Sequence, residues 1–85
     1  MEFTHTATSF IHRDQYGEID AEINFELVNQ DTIHVTRTFV SPSLRGQGVA
    51  RQLANQVNHY RHENNYHLTS SCSYITKLIE NGEMK

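Results

Sequence analysis

The sequence predicts an α+β domain with the element order β-β-β-α-β-α, and three observations carry that prediction. Residues 18–27 alternate strictly, with Ile19, Ala21, Ile23, Phe25 and Leu27 on one side and Asp20, Glu22, Asn24 and Glu26 on the other. A period of two describes a strand with one buried and one wet face. The period then changes. Between about Gln47 and Asn64, Val49, Leu53, Val57 and Tyr60, joined by Ala50 and Ala54, form a single stripe at spacings of three and four, the mark of an amphipathic helix. Between the two patterns lies Arg45-Gly46-Gln47-Gly48, with two glycines where a bare turn needs one.

The remaining elements follow in order. Residues 8–13, TSFIHR, read as a short strand, and Asp14 and Gly17 supply the turn after it. Asn29-Gln30-Asp31 is a hairpin turn into residues 32–40, TIHVTRTFV, a run rich in β-branched residues. Here Ile33, Val35 and Phe39 share a parity, and so does Arg37. Either Arg37 reaches out of the core or a bulge resets the alternation. Three strands thus make an antiparallel meander, and Pro42 ends it. Asn64 and Asn65 suit a helix stop. Residues 66–70 form a short strand, which after a helical crossover pairs parallel to the third. The last helix, SYITKLIE, stops at Asn81-Gly82. At 85 residues the chain has room for one domain, residues 1–85, with a modest core.

Composition narrows the function classes. The net charge of −3 argues against general nucleic-acid binding. No apolar run approaches a membrane span, and the N-terminus lacks a basic and then apolar leader, so a cytoplasmic location without membrane or nucleic-acid partners is expected. The lone Cys72 excludes an internal disulfide and fits a reducing compartment. The charge is unevenly spread. Residues 1–31 carry seven acids against Arg13, whereas residues 32–62 carry no acid but Arg37, Arg45, Arg51 and Arg61. An acid-free, arginine-bearing segment centred on a glycine junction points to a local anion site.

That junction has a physical use. A helix N-terminus offers free N–H groups and a partial positive charge, which suit phosphate. Gly46 and Gly48 let oxygens approach the backbone, and Arg45 and Arg51 add charge. No Lys-Ser/Thr pair follows the glycines, so this is not a Walker loop, and the dinucleotide fingerprint is also absent.

Arg45, Gly48 and Ala50 occupy the three defining positions of the R/Q-x-x-G-x-G/A acetyl-CoA signature, and on these residues the chain resembles the GCN5-related N-acetyltransferases. The likeness extends to the small single-domain branch of that family. There a strand ends in T-x-V before an R-G-x-G-x-A loop, and a cysteine after the next strand opens the last helix. Here these features are Thr38-Phe39-Val40, residues 45–50 and Cys72. Two positions depart from the branch: Arg37 stands where a histidine usually precedes the threonine, and Ser73-Tyr74 replaces proline followed by an aromatic. The resemblance implies a minimal fold of that family. It also implies that the third strand splays from the fourth and that the pantetheine arm lies between them, bonded to backbone near Phe39 and Val40. The diphosphate of acetyl-CoA would rest on residues 46–50, so the expected cofactor site is Phe39, Val40, Arg45, Gly46, Gln47, Gly48, Val49, Ala50 and Arg51.

Cys72 opens a helix, and a helix N-terminus lowers a thiol's pKa. Three readings stand: a covalent carrier of the acyl group, a bystander to direct transfer, or a small buried hydrophobe. Direct transfer needs a base for the amine proton and an acid for the departing thiolate. Tyr74 is the candidate acid, or else a core aromatic. His34, Glu22 and Glu26 are candidates on the amine side, or else ordinary residues of a wet sheet face. His59, His62 and His67 lack the convergent cysteine or acids that a zinc site wants, so no metal is expected.

The leading function is therefore transfer of an acetyl group from acetyl-CoA to a primary amine, with Cys72 and Tyr74 as catalytic candidates. The alternative is a non-catalytic acyl-CoA binding or sensing module that works with a partner protein. Compared with fuller members of the family, the chain stops soon after its loop, so the acceptor site is expected to be shallow or completed by another chain. A monomer or weak homodimer is expected.

Overall fold

The computed structural model describes residues 1–85. Five strands form one sheet: β1 (Thr4–His5), β2 (Ser9–Arg13), β3 (Ile19–Asn29), β4 (Thr32–Val40) and β5 (His67–Ser70). They lie in sequence order. The first four pair antiparallel, and β5 runs parallel to β4 after the crossover through α1 (Val49–Glu63). The final helix is α2 (Ser73–Glu80). Residues Ala21, Ile23 and Phe25 of β3, Ile33 and Val35 of β4, Leu53 and Val57 of α1, and Ile75 and Leu78 of α2 belong to one buried cluster. Both helices therefore cover the same face of the sheet. On the other face Glu26 and Arg37 lie exposed.

Both helices end as their sequences suggest. After α1, Asn65 takes φ 57°, and the N–H groups of Asn65 and Tyr66 donate to the carbonyls of His62 and Arg61. After α2, Gly82 at φ 73° does the same, with Gly82 and Glu83 donating to Ile79 and Leu78. These paired bonds satisfy the last carbonyls that a helix leaves open.

Four details differ from the sequence reading. The segment β1 carries no alternation and was not foreseen as a strand; it forms because the His5 ring stacks on Phe10 with centroids 4.4 Å apart. Pro42–Leu44 form a 3-10 turn where a plain loop was expected. The helix starts at Val49 and not at Gln47, because Gly48 takes the left-handed φ of 75° and sets the cap. Finally, Phe39 does not share a face with Ile33 and Val35. Asn24 pairs with Arg37, but Phe25 pairs with Val35, so Thr36 is an extra residue in β4. This bulge flips everything after it. Thr38 and Val40 turn toward the helices, opposite Ile23 and Ala21, while Arg37 and Phe39 turn outward, opposite Asn24 and Glu22. The Arg37 guanidinium lies 5.5 Å from the Phe39 ring centre and 3.1 Å from Glu22 Oε1.

The bulge also matters for position. The parallel pairing of β4 with β5 stops at Val35–Ser70, with one further bond from Ser71 N–H to Val35 O at 3.0 Å. From Thr36 to Val40, β4 pairs only with β3. A bulge bends its strand and increases the local twist, and this one falls where the pairing of β4 with β5 ends.

Candidate active site

Three pieces converge where β4 and β5 part: the end of β4, the glycine loop leading into α1, and the start of α2. The loop is set by local chemistry. Arg45 N–H donates to Pro42 O, and Gln47 Nε2 donates to Ser43 O at 3.2 Å, closing the turn. Gly46 and Gly48 both take positive φ, 80° and 75°, and a Cβ at either would meet nothing within 4 Å. The glycines are thus required by backbone conformation, and the space above them is open. Because Gly48 caps α1, no side chain satisfies the first N–H groups, and no acid lies in the first turn. From Gly46 to Arg51 the backbone N–H groups donate no hydrogen bond within the chain. This is the arrangement that binds an anion at a helix end.

A cavity of about 180 Å³ lies over this loop. Arg45, Gly46, Gly48 and the first turn of α1 (Val49, Ala50 and Arg51) form one wall, and Val40 and Tyr74 form the other. Seven of the nine residues expected to bind cofactor therefore meet in one place, together with Tyr74. The other two lie apart from it. Gln47 closes the loop from outside, and the Phe39 side chain points to the opposite face of the sheet, which leaves only its backbone beside the gap.

One residue in this site was not foreseen. Glu83 Oε1 accepts a 2.6 Å hydrogen bond from Arg51 Nη2. The bond from Glu83, followed by its charge, raises the Arg51 pKa, and the reciprocal bond holds the Glu83 carboxyl below the usual range. The Tyr74 hydroxyl also acts on Arg51. No sequence signal links positions 51 and 83; the Schellman turn after α2 folds the chain back over α1. The carboxylate engages a cation at the cavity and adds a negative charge beside it. Glu83→Gln is expected to tighten CoA binding a few-fold and to steepen its dependence on salt, because an exposed pair is worth little by itself but competes for the same guanidinium. Titration calorimetry at two ionic strengths checks this, and an unchanged affinity counts against the competition.

Cys72 caps α2. Its N–H donates to Ser70 Oγ at 3.0 Å, and its Sγ lies 3.4 Å from Thr38 Oγ1. Partial burial pushes the thiol pKa up. Hydrogen bonds from the Thr38 hydroxyl and from the backbone of Ile75 and Tyr74 outweigh that effect, and the thiol lies below its ordinary value. The first turn of α2 thus favours the thiolate, as a helix N-terminus does. The bulge is what aims Thr38 at Cys72: without the extra Thr36, Thr38 would face away from the helices.

The family described as GCN5-related N-acetyl-transferase matches residues 9–84. The chain belongs to this family of acetyl-group transferases, whose members generally use acetyl-CoA. Among solved structures, a GCN5-like candidate N-acetyltransferase from Staphylococcus aureus is 30% identical, with a TM-score of 0.79 over 96% of this chain and 80% of that one. A candidate acetyltransferase from Deinococcus radiodurans is 17% identical, with a TM-score of 0.68 over 91% of this chain and 54% of that one. Nourseothricin acetyltransferase is 22% identical, with a TM-score of 0.58 over 71% of this chain and 36% of its own length. The last two show the shared fold. No curated protein matches the chain. No helix is long and apolar enough to cross a membrane.

Proposed function

We propose that this chain, acting as a single minimal domain, moves an acetyl group from acetyl-CoA to a primary amine by way of Cys72. The observation that carries the reading is the convergence of the unsatisfied N–H groups at the start of α1, two arginines and Tyr74 on one cavity at the end of β4, beyond its pairing with β5. The residues fit the cofactor. The diphosphate rests on the loop N–H groups with Arg45 and Arg51 as counter-charges. The pantetheine arm runs along the unpaired edge of β4 beside Phe39 and Val40, which brings the thioester toward Cys72.

The chemistry follows from Cys72. Its thiolate attacks the thioester carbonyl carbon, an S–C bond forms, and the C–S bond to CoA breaks. The departing CoA thiolate takes a proton from the Tyr74 hydroxyl, which regains one from water. A primary amine then attacks the acetyl-cysteine carbonyl carbon, the C–N bond forms as the C–S bond to Cys72 breaks, the amine gives up one proton to solvent, and the Cys72 thiolate is restored. The thiolate-favouring setting of Cys72 supports this order over direct transfer.

Mass spectrometry of the intact protein after incubation with acetyl-CoA, without acceptor, tests it. One added acetyl group, absent in Cys72→Ala, is the expected result. Absence of the adduct while the protein still converts amine to amide overturns the covalent route. Binding of CoA with neither adduct nor amide supports the binding-module reading instead.

A further inference from the structure

On the sheet face that the helices leave uncovered, three side chains form a hydrogen-bonded chain. His34 of β4 sits opposite Glu26 of β3 on one side and Thr69 of β5 on the other. Its Nδ1 lies 2.7 Å from Thr69 Oγ1, and its Nε2 lies 3.0 Å from Ser71 Oγ. One direction of this chain suits proton transfer. With the proton on Nδ1, His34 donates to Thr69 Oγ1, whose own hydrogen then turns to the Ile33 carbonyl 3.4 Å away. The Nε2 lone pair in that tautomer accepts from the Ser71 hydroxyl. A histidine with its basic nitrogen on a serine hydroxyl is an arrangement that moves protons.

The place of this chain is what connects it to acetyl transfer. Ser71 and Cys72 are consecutive, and their side chains leave the backbone on opposite faces. Cys72 joins Thr38 on the helix side, while Ser71 joins His34 on the open side. Both stand where β5 ends and the gap to β4 begins. An acyl group entering between β4 and the turn after β5 would lie between the helix side, which holds the thiol, and the open side, which holds the hydroxyl.

We propose that His34, relayed by Ser71 and oriented by Thr69, accepts the proton that the acceptor amine sheds, and that the amine approaches from the uncovered sheet face. The inference rests on the acetyl-transfer reading above. In the step, the amine nitrogen lone pair forms the C–N bond to the acetyl carbonyl carbon. The proton released from nitrogen goes to Ser71 Oγ as Ser71 passes its own proton to His34 Nε2. The C–S bond breaks, the thiolate leaves, and the imidazolium returns its proton to water. The charged groups around His34 suit this role. Glu26 faces it from β3, and His67 precedes Thr69 on the same face of β5. Beyond the bulge, Arg37 is paired with Glu22. A guanidinium does not give up its proton, so Arg37 is no alternative base. Glu26 places a negative charge beside His34 on the face from which the amine approaches.

The test uses propylamine as acceptor and reads acetyl-CoA-dependent formation of N-propylacetamide across pH in the wild type, His34→Gln and Ser71→Ala, with CoA affinity measured in parallel. His34→Gln is expected to lose on the order of a hundredfold in rate at neutral pH and to approach the wild type at high pH, where hydroxide takes the proton that the nitrogen releases. Ser71→Ala is expected to lose less, with CoA affinity unchanged in both. Added imidazole is expected to restore part of the rate in His34→Ala, which a purely structural role would not allow. If His34→Gln keeps the wild-type rate and pH profile, the inference is overturned and the functional reading stands. If the wild type forms no amide at all, the functional reading itself is overturned, and the inference falls with it.

Discussion

Gly48→Glu is expected to lower CoA affinity on the order of a hundredfold or more while leaving the fold in place. Two effects combine at this position. Gly48 caps α1 at φ 75°, a conformation that costs an ordinary residue about 1–2 kcal/mol. The added carboxylate then stands among the N–H groups of residues 46–51, in the open space above the loop. It satisfies those donors itself and repels the diphosphate, an electrostatic effect that remains large near a partly shielded site. Gly48→Asn separates the causes, because asparagine tolerates the left-handed region and brings no charge. It is expected to lose far less affinity than the glutamate variant. Calorimetric titration of CoA, with urea unfolding as the control for stability, distinguishes them. Wild-type affinity in Gly48→Glu would sink the anion-cradle account of this loop.

The same loop shows what is legible in a sequence of this kind. Periodicity located three strands of the meander and α1, because Ala21 to Phe25 and Val49 to Val57 each bury one regular face, although the alternation fails at the ends of β3, where Leu27 is exposed and Asp20 is buried beside His12. The loop was legible for a different reason: two glycines and flanking arginines have few other uses before a helix. What escaped was decided by single residues in tertiary context. The bulge at Thr36 was legible only as one of two readings of the Arg37 parity, and its consequence, that Thr38 and not Phe39 faces Cys72, was not. The two-residue strand β1 is too short for a period and depends on His5 finding Phe10. Glu83 reaches Arg51 only because Gly82 reverses the chain after α2. The Thr69–His34–Ser71 chain needs the parallel register of β4 and β5, which no local pattern specifies. Local regularities therefore gave the architecture and the anion loop, whereas the pairing of reactive groups came from strand register and one bulge.

Cys72→Ala is expected to lower amide formation by at least about a hundredfold, since removal of a covalent carrier takes away a whole chemical step. Cysteine alone does not establish such a role, so the discriminating measurement concerns the thiol's ionisation. Burial works against the thiolate, but Thr38 and the first turn of α2 outweigh it. Alkylation by iodoacetamide is therefore expected to rise with pH around a midpoint below that of a free thiol. Thr38→Val removes one of the stabilising bonds and is expected to move that midpoint up and to slow acetylation at neutral pH. The sign of the linked stability effect follows. A thiol with a depressed folded-state pKa binds fewer protons folded than unfolded between the two values, so stability rises with pH across that window. The contribution is complete above the unfolded-state value and fades as pH falls through the folded one. It should be absent from Cys72→Ala and reduced in Thr38→Val. If Cys72 instead alkylates as a free thiol does and Cys72→Ala keeps full transfer, the acetyl group passes directly from CoA to the amine, and Thr38 serves only to pack the end of β4 against α2.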